Sequence, residues 1–248
     1  MKTKNRSEKP TDLRETSRSE RKRAAILDAA TTVFLAGGYL GANVDEIASV
    51  SGVSKQTIYK HFGSKEALFV EIVTNVSNSA ADRVLNDVRE LEKDGDVTSY
   101  LVDYAFRQLT VVLTPRTMQL RRLVIGEVSR FPDLARALYE RGPLRALDAL
   151  AALFERLGKR GVLAIDDPKT AASHFNWLVM AEPLNRAMLL GDDAIPKHAE
   201  LRRHAEAGVH VFVAAYGAGR TPPAHGTRRA PGGSSNDTRK RTAASKRD

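Results

Sequence analysis

The chain has 248 residues, of which 42% are hydrophobic, and it carries a net charge of +9 and no cysteine. This length can bury a full core in one or two domains, and the lack of cysteine excludes disulfides and thiolate metal sites. No apolar run approaches the roughly 18 residues of a membrane span, and the start MKTKNRSEKPTDLRE lacks the apolar stretch of a secretory signal, so we expect a cytoplasmic protein without a membrane partner.

Most of the net charge lies at the two ends of the chain. Residues 1–23 contain 9 Lys and Arg against 4 Asp and Glu, residues 217–248 contain 8 against 2, and the stretch between them contains 22 against 24. The first 18 residues are polar without apolar periodicity, and the last 32 have no aliphatic side chain larger than alanine. Such segments cannot offset their ordering entropy by burial. We therefore predict a disordered basic arm, residues 1–18, and a disordered basic tail, residues 217–248.

The first predicted helix runs from Ala24 to the glycine pair that ends at Gly38. Its apolar residues recur at the spacing of one helical face. They are Ile26, Ala29, Ala30, Val33 and Phe34. The basic run Arg21-Lys22-Arg23 just before it fits either a solvated helix start or a phosphate contact.

Two short helices joined by a tight turn are predicted in the stretch NVDEIASVSGVSKQTIYKHFGSK, which starts at Asn43. Asn43 is a good N-cap, and Glu46 stands three residues later as its reciprocal partner. The second helix should therefore run from Val44 to about Val50. Gly52 then supplies the sharp corner, because glycine adopts left-handed backbone angles without steric cost.

The third helix should begin after the N-cap Ser54, cover Lys55 to His61, and end at Gly63. At 100° per residue, Ile58 and Phe62 fall on one side of it. The opposite side is then polar, aromatic and basic. This arrangement predicts that the apolar side anchors the helix while the other side stays accessible.

The accessible side of the third helix has the chemistry that reads duplex DNA. Lys55 and Lys60 can bind phosphate or guanine, Gln56 can pair with adenine, and Thr57 can contact thymine or a backbone oxygen. The hydroxyl of Tyr59 can reach a phosphate. A short polar helix that simply faces solvent would show the same periodicity, so the pattern alone leaves both interpretations open.

The longer stretch GGYLGANVDEIASVSGVSKQTIYKHFGSKEALF resembles the DNA-binding domain of the TetR family of transcriptional regulators, over about residues 20–70. The resemblance implies a double-stranded DNA operator as partner. It also implies base or phosphate contacts from Asn43, Ser54, Lys55, Gln56, Thr57, Tyr59, Lys60, His61 and Lys65. Ala42 departs from the threonine or serine that the family often has at this point, so no backbone contact is expected from it.

Further helices are predicted after Ser64, which caps the fourth. Their apolar periodicity and their proline and glycine boundaries place them at Lys65–Leu91, Val97–Leu113, Thr117–Arg130, Pro132–Glu140, Pro143–Arg160, Pro168–Leu190 and Pro196–Tyr216. No segment has the period of a strand, so the fold should be all-α. Pro183 lies inside one of these helices and should bend or break it near Val179.

The segment LRRLVIGEVSRFPDLARALYERGP resembles the regulatory domain of an AefR-like subgroup of the same family. The resemblance implies a helical C-terminal domain that dimerises and encloses a small-molecule pocket. The candidate pocket residues are Phe106, Leu109, Leu113, Met118, Arg122, Leu123, Glu127, Phe175, Asn176 and Trp177, each of which also fits an ordinary core or a surface ion pair. The candidate dimer seam on the last two helices is Ala171, Phe175, Leu178, Val209 and Phe212.

Together these features predict an all-α protein with a helix-turn-helix DNA-binding domain at residues 19–63 and a helical regulatory and dimerisation domain at residues 64–216. We expect a homodimeric repressor that binds a palindromic operator and is released by a small apolar or amphipathic effector. A helical small-molecule sensor that no longer reads DNA is the alternative. The six histidines form no HExxH pair, and no P-loop, GxSxG or dinucleotide glycine pattern occurs, so no catalysis, cofactor or metal is expected.

Overall fold

The computed structural model describes residues 10–85 and 95–218, with the side chains of residues 18–84 and 95–218. Its elements are α1 Pro10–Gly41, α2 Val44–Ser51, α3 Lys55–Phe62, α4 Lys65–Leu85, α5 Val97–Val112, α6 Pro115–Gly126, α7 Pro132–Tyr139, a π-helical turn Glu140–Leu144, α8 Arg145–Lys159, α9 Pro168–Leu190, a 3-10 turn Asp192–Ala194 and α10 His198–Tyr216. No strand occurs in these ranges, where a single antiparallel bridge joins Leu163 to Gly217. The predicted all-α fold is confirmed.

Two buried cores organise the helices, and α4 contributes to both. The N-terminal core consists of Ile26, Ala29, Ala30, Val33, Phe34, Ala42, Val44, Ile47, Ile58, Leu68, Phe69, Ile72, Val73, Leu120, Val124 and Leu134. The C-terminal core joins Val84 of α4 to the buried faces of α5, α8, α9 and α10, with Leu101, Leu109, Leu150, Phe154, Phe175, Val179, Val209 and Phe212 at its centre. Because α6 and α7 supply the last three residues of the N-terminal core, the helices α1 to α3 are packed directly against the C-terminal helices.

Helix α1 begins earlier than the sequence suggests. Residues 10–18, which we predicted to belong to the disordered arm, are helical, and residues 1–9 lie outside the described ranges. The reason is that Pro10 suits a first helical turn and neither glycine nor proline follows before Gly37. The first helix was predicted to end at Gly38. Helical geometry is interrupted there, at φ 69° and ψ 179°, and one more helical turn follows and ends at Gly41.

The part of α1 from Arg18 to Gly41 is, among the described residues, the one helix long and apolar enough to cross a membrane by length and composition, with a hydropathy of 1.4. Its apolar stripe is already buried inside the protein, where Ile26, Ala30 and Phe34 have no exposed surface. The helix therefore serves as a core helix of the N-terminal part.

Two further helix ends were predicted differently, the end of α4 and the start of α6. The predicted continuation of α4 to Leu91 lies beyond Leu85, outside the described residues. Helix α6 begins at Pro115, two residues before the predicted start at Thr117. The side chain of Thr114 accepts a hydrogen bond from the Thr117 N–H at 3.3 Å, and the proline occupies a first-turn position where no N–H is needed.

The predicted boundary at Gly142-Pro143 is absent, because the chain passes from α7 to α8 through the π-helical turn Glu140–Leu144 without leaving helical geometry. A π-helical turn widens the backbone and shifts its hydrogen bonds by one residue, so a proline can be carried inside it. Such turns are frequent at functional sites, and this one forms part of a cavity wall described below.

Pro183 was predicted to bend or break its helix near Val179. A break is not present, since α9 continues from Pro168 to Leu190 with Pro183 buried inside it. Pro183 has no N–H for the carbonyl of Val179. That carbonyl instead accepts a hydrogen bond from Nε2 of His204 on α10 at 2.9 Å. Next to it, a side chain at Gly208 would place its Cβ 3.1 Å from the Leu178 carbonyl oxygen. The absence of a side chain at Gly208 thus lets α10 lie close enough to α9 for His204 to reach the Val179 carbonyl.

Candidate DNA-binding surface and ligand cavity

Helix α2 is capped, but by a different bond from the predicted one. The Asn43 side-chain oxygen accepts from the N–H of Asp45 at 2.9 Å, one residue before Glu46, so the expected reciprocal pair with Glu46 is replaced by a tighter local turn. Ala42, just before the cap, is buried in the N-terminal core. An alanine here serves packing, which accounts for the departure from a hydroxyl residue.

Helix α3 is fixed at both ends and by one anchor. Gly52 adopts φ 68° at the corner, and the Ser54 hydroxyl accepts from the Thr57 N–H at 3.2 Å while lying 2.8 Å from the Thr57 hydroxyl. Gly63, at φ 77°, ends the helix. Ile58 is fully buried against α1, α2 and α4. The anchor orients the opposite side of α3 toward solvent.

The outward side of α3 is the predicted one. Lys55, Gln56, Tyr59 and Lys60 are exposed, and His61 is half-buried beside them. Two cations, an amide and a phenol on one short helix match what base edges and phosphates accept. The structure therefore brings these predicted DNA contacts onto one surface, together with the exposed Ser54 and Asn43 and the half-buried Thr57.

Two of the predicted lysines have partners within the protein. Lys55 Nζ lies 2.9 Å from the Asp45 carboxylate, and this hydrogen bond raises the pKa of Lys55. Lys65 Nζ lies 4.9 Å from the centre of the Tyr39 ring and 3.5 Å from the Leu40 carbonyl oxygen. Burial lowers the pKa of Lys65. The phosphate contact predicted for Lys65 stays a prediction.

Of the basic run before the first predicted helix, Arg23 faces inward. Its guanidinium lies 2.7 Å from the Glu71 carboxylate of α4 and 5.2 Å from the centre of the Phe62 ring. It therefore ties the end of α3 to α1 and α4. Arg21 and Lys22 are exposed and, with Arg18, line a basic groove beside the turn Ser51-Gly52-Val53. Sequence analysis missed Arg18, although an earlier helix start would have placed it on the same face.

A cavity lies between α4, α5, α6 and α9, closed by α7, the π-helical turn and α8. Its volume is about 100 Å³, whereas one buried water needs about 10–15 Å³. The cavity therefore has room for a small organic molecule. Its lining is Val76, Ser77, Ala80, Ala81, Val84, Gln108, Val112, Thr117, Leu120, Arg121, Leu138, Gly142, Pro143, Ala146, Asn176, Met180 and Leu184.

Few polar groups interrupt this apolar lining. Gln108 is 4% exposed; its Nε2 donates to Asn176 Oδ1 at 2.9 Å, and its Oε1 has no hydrogen-bond partner in the described part of the chain. Arg121 is half-buried, and burial lowers the pKa of its guanidinium. The Ser77 hydroxyl donates to the Val73 carbonyl at 2.6 Å. No group of three or more potential metal ligands occurs among the described residues.

Comparison with known proteins assigns both halves of the chain. Residues 26–72 match the family described as bacterial regulatory proteins, tetR family, and residues 99–218 match the C-terminal domain of AefR-like transcriptional repressors. A solved structure of a TetR-family transcriptional regulator from Mesorhizobium loti MAFF303099 is 40% identical, covering 81% of this chain and 98% of that one with a TM-score of 0.75. The chain belongs to the TetR family of transcriptional regulators.

Other relatives in the TetR family are more distant. The flavonoid-responsive regulator FrrA is 32% identical to this chain in its solved structure, covering 80% of this chain and 98% of FrrA with a TM-score of 0.64. The transcriptional regulator RutR of Escherichia coli K12 is 31% identical over 150 residues, 60% of this chain and 67% of RutR. The chain spans 31% to 67% of the length of the first curated relatives that it matches.

Of the ten predicted pocket residues, this cavity of the TetR-family regulator contains one. Asn176 lines it. Four predicted residues are buried in the C-terminal core: Leu109, Leu113, Met118 and Phe175. The remaining five lie elsewhere: Phe106, Arg122, Leu123, Glu127 and Trp177.

Helical register explains most of these corrections. The Arg122 guanidinium pairs with Asp192 and donates to the Ala187 carbonyl at 2.8 Å, which ties α6 to the end of α9. Its neighbour Arg121, rotated by 100°, is the one that lines the cavity. Trp177 is 61% exposed on the outer face of α9. Apolar periodicity gives the stripe of each helix but not which neighbouring helix the stripe meets.

The predicted dimer seam needs the same correction. Four of its residues are fully buried within the subunit and cannot contact a partner: Ala171, Phe175, Val209 and Phe212. Leu178 is 37% exposed. Besides Leu178, the large apolar side chains that α9 and α10 expose are Trp177, Leu189, Leu190 and Val211. Because both helices are apolar on two faces, the sequence pattern selected the inner one.

Proposed function

We propose that this TetR-family regulator is a repressor that binds a palindromic operator as a homodimer and is released when a small apolar or amphipathic effector occupies the cavity. The observation that supports it best is that Leu120 of α6 belongs to both the cavity lining and the N-terminal core. A molecule in the cavity therefore contacts a side chain that also packs beneath the helix-turn-helix.

Further contacts also connect the cavity to the helix-turn-helix. Arg116 of α6 pairs with Asp28 of α1 at 3.3 Å, and Leu138 of α7 lines the cavity and packs on the N-terminal core. The route continues to α3 through Arg23, which contacts both Phe62 and α4. A shift of α4 or α6 would thus change the orientation of α3. A coupling free energy of about 1–3 kcal/mol is enough to weaken operator binding about 5- to 150-fold.

The dimer is supported by the exposed apolar face on α9 and α10. Trp177 is 61% and Leu189 80% exposed, and Leu178 and Val211 lie on the same two helices. Single exposed apolar residues are ordinary on a protein surface, but four large ones on two helices that pack against each other favour an interface. A two-fold dimer would present two copies of α3 to successive major grooves about 34–36 Å apart.

The proposed interface has a matched test. Leu178→Glu should convert the dimer to a monomer, because it puts a charge into the seam, whereas Ile125→Glu, at an exposed site on α6, should leave it intact. Sedimentation velocity measures both. A wild-type protein that sediments as a monomer at micromolar concentration would overturn the dimer.

Operator binding is tested by selecting bound duplexes from a random pool with the purified full chain at about 0.1 M salt. We expect one two-fold symmetric sequence to be enriched and to lie near a gene that is expressed more strongly when the gene for this protein is deleted. We expect the protein itself in the cytoplasm, where the DNA is. Binding of all duplexes with equal affinity would favour the alternative, a small-molecule sensor that does not read sequence. Lower expression in the deletion strain would make the protein an activator.

The effector is tested by reciprocity. FrrA is flavonoid-responsive, and its structure resembles this one along nearly its whole length, so flavonoids are a reasonable first set of compounds. A true effector must bind the operator-bound dimer more weakly by the same factor by which it weakens operator binding. A compound whose affinity does not change with saturating operator is not the effector.

A further inference from the structure

The cavity contains one charged side chain, Arg121, in a lining that is mostly apolar. Arg121 makes neither a hydrogen bond nor an ion pair with any described residue, whereas Arg122 pairs with Asp192 and Arg116 with Asp28. No aspartate or glutamate is present in the cavity lining. A partly desolvated cation without a counter-charge destabilises the protein, and an anion placed beside it offsets that cost.

A second polar group in the same cavity is also incompletely bonded. Gln108 is almost fully buried and uses one amide hydrogen to bind Asn176, while its Oε1 accepts nothing from the described residues. A buried acceptor of this kind is stabilised by any donor that reaches it. Gln108 and Arg121 lie on α5 and α6, two of the helices that enclose the cavity. One ligand could therefore bind both.

The rest of the lining determines the body of that ligand. Val76, Ala80 and Val84 of α4 are apolar, as are Met180 and Leu184 of α9. A sugar, a nucleotide or a peptide would leave its own polar groups unpaired against these side chains. An apolar body is therefore favoured, with its polar groups limited to the positions that face Arg121 and Gln108.

We propose that the cavity binds a small, largely apolar organic acid, whose carboxylate or ionised phenol accepts hydrogen bonds from Arg121 and whose hydroxyl donates to Gln108. The inference rests on the proposed function, since it names the chemical class of the effector for the same cavity. It goes further in requiring a negative charge. A neutral apolar compound would displace water from the Arg121 guanidinium and return no counter-charge.

The test uses two fluorescent probes of nearly the same size and shape, the anionic 6-hydroxy-2-naphthoate and its neutral primary amide, titrated into the full-length protein without DNA. The acid should bind about 10- to 100-fold more tightly than the amide, which is the range expected for hydrogen bonds to a charged partner. Arg121→Met should remove the preference. Arg156→Met, which deletes an equally charged but exposed side chain on α8, should retain it.

A phenol provides the second arm and a spectroscopic signature. The phenolate of 4-nitrophenol absorbs visible light, so bound probe should ionise at lower pH than free probe in the wild type, and at the same pH as free probe in Arg121→Met. Ionisation of the phenol at unchanged pH, together with a preference for the carboxylate, would restrict the class to carboxylic acids. Each variant is checked by circular dichroism, and Arg121→Gln is a second variant should the methionine variant fail to fold.

Equal affinity for acid and amide in the wild type would overturn the proposal, as would failure of the acid to bind, or loss of the preference in Arg156→Met to the same extent as in Arg121→Met. Release of operator by the neutral amide as effectively as by the acid would also overturn it and leave the proposed function intact. Charge-dependent binding that never releases the operator would support an organic acid as the ligand of the cavity and would overturn effector release in the proposed function.

Discussion

The hydrogen bond from His204 to the Val179 carbonyl supports α9 where Pro183 cannot donate. His204→Leu removes the donor and keeps much of the side-chain volume. An unsatisfied buried carbonyl costs about 1–3 kcal/mol, and because His204 is half-buried we expect the lower part of that range, about 1–2 kcal/mol. For a domain of this size each kcal/mol changes Tm by about 2–4 °C, so Tm should fall by about 2–8 °C.

A double-mutant cycle separates this bond from simple loss of packing. Pro183→Ala restores an N–H that can reach the Val179 carbonyl within α9, so in that background His204→Leu should cost much less. Thermal and urea unfolding, followed by circular dichroism, should give a coupling of about 1 kcal/mol between the two positions. The exposed His210 on the same helix supplies the control, since His210→Leu removes no such bond and should leave stability nearly unchanged.

The reasoning would be refuted if the two substitutions were additive within about 0.3–0.5 kcal/mol. Additivity would mean that water or a local adjustment satisfies the Val179 carbonyl without His204. An equal loss of stability in His210→Leu would show that the effect belongs to helix α10 in general.

Three further predictions concern the surface and the caps. Asp45→Asn removes the carboxylate that pairs with Lys55, so duplex affinity should rise and the slope of log affinity against log salt concentration should steepen by about one unit. Glu46→Gln, at an exposed acid without a partner among the described residues, should change the affinity and the slope less. Gln56→Ala should alter which bases are tolerated, at about 1–3 kcal/mol in selection experiments, and a uniform loss would contradict a reading role. The Ser99 hydroxyl and the neighbouring backbone N–H groups lower the pKa of Asp96, so its stabilisation is present at neutral pH and is lost as the pH falls through that lowered pKa; the Tm difference between wild type and Asp96→Ala should therefore narrow in acid.

Local chemistry made much of the fold readable from the sequence. Ser54, Asp96 and Asp167 each cap the helix that was expected to follow them, and α9 has the predicted bounds. These elements depend on neighbours within a few residues, which the sequence displays directly. The outward side of α3 was equally predictable, because one short helix has only one apolar stripe to bury.

The sequence could not show which side chains of one helix contact which neighbouring helix. Pro183 was expected to bend or break its helix. The sequence does not show that the carbonyl it leaves without a donor is bonded by His204, twenty-one positions later on another helix. Arg121 and Arg122 are chemically identical neighbours, and only the packing of α6 assigns one to the cavity and the other to Asp192. The wrong residues in the predicted seam have the same origin, since α9 is apolar on two faces and the sequence does not rank them.

The crossing of α9 and α10 has a consequence for how a bacterium can keep several regulators of one family apart. A Cβ at Gly208 would lie 3.1 Å from the Leu178 carbonyl oxygen, so the α9 backbone would have to shift slightly to admit a side chain there. Trp177 and Val211, on the same two helices, are 61% and 57% exposed, so more than half of each side chain lies outside the packed interior. In the proposed homodimer, a duplicated gene could acquire a new preference for its own product by changing a few of these exposed residues, and mixed dimers with mismatched DNA half-sites would be avoided.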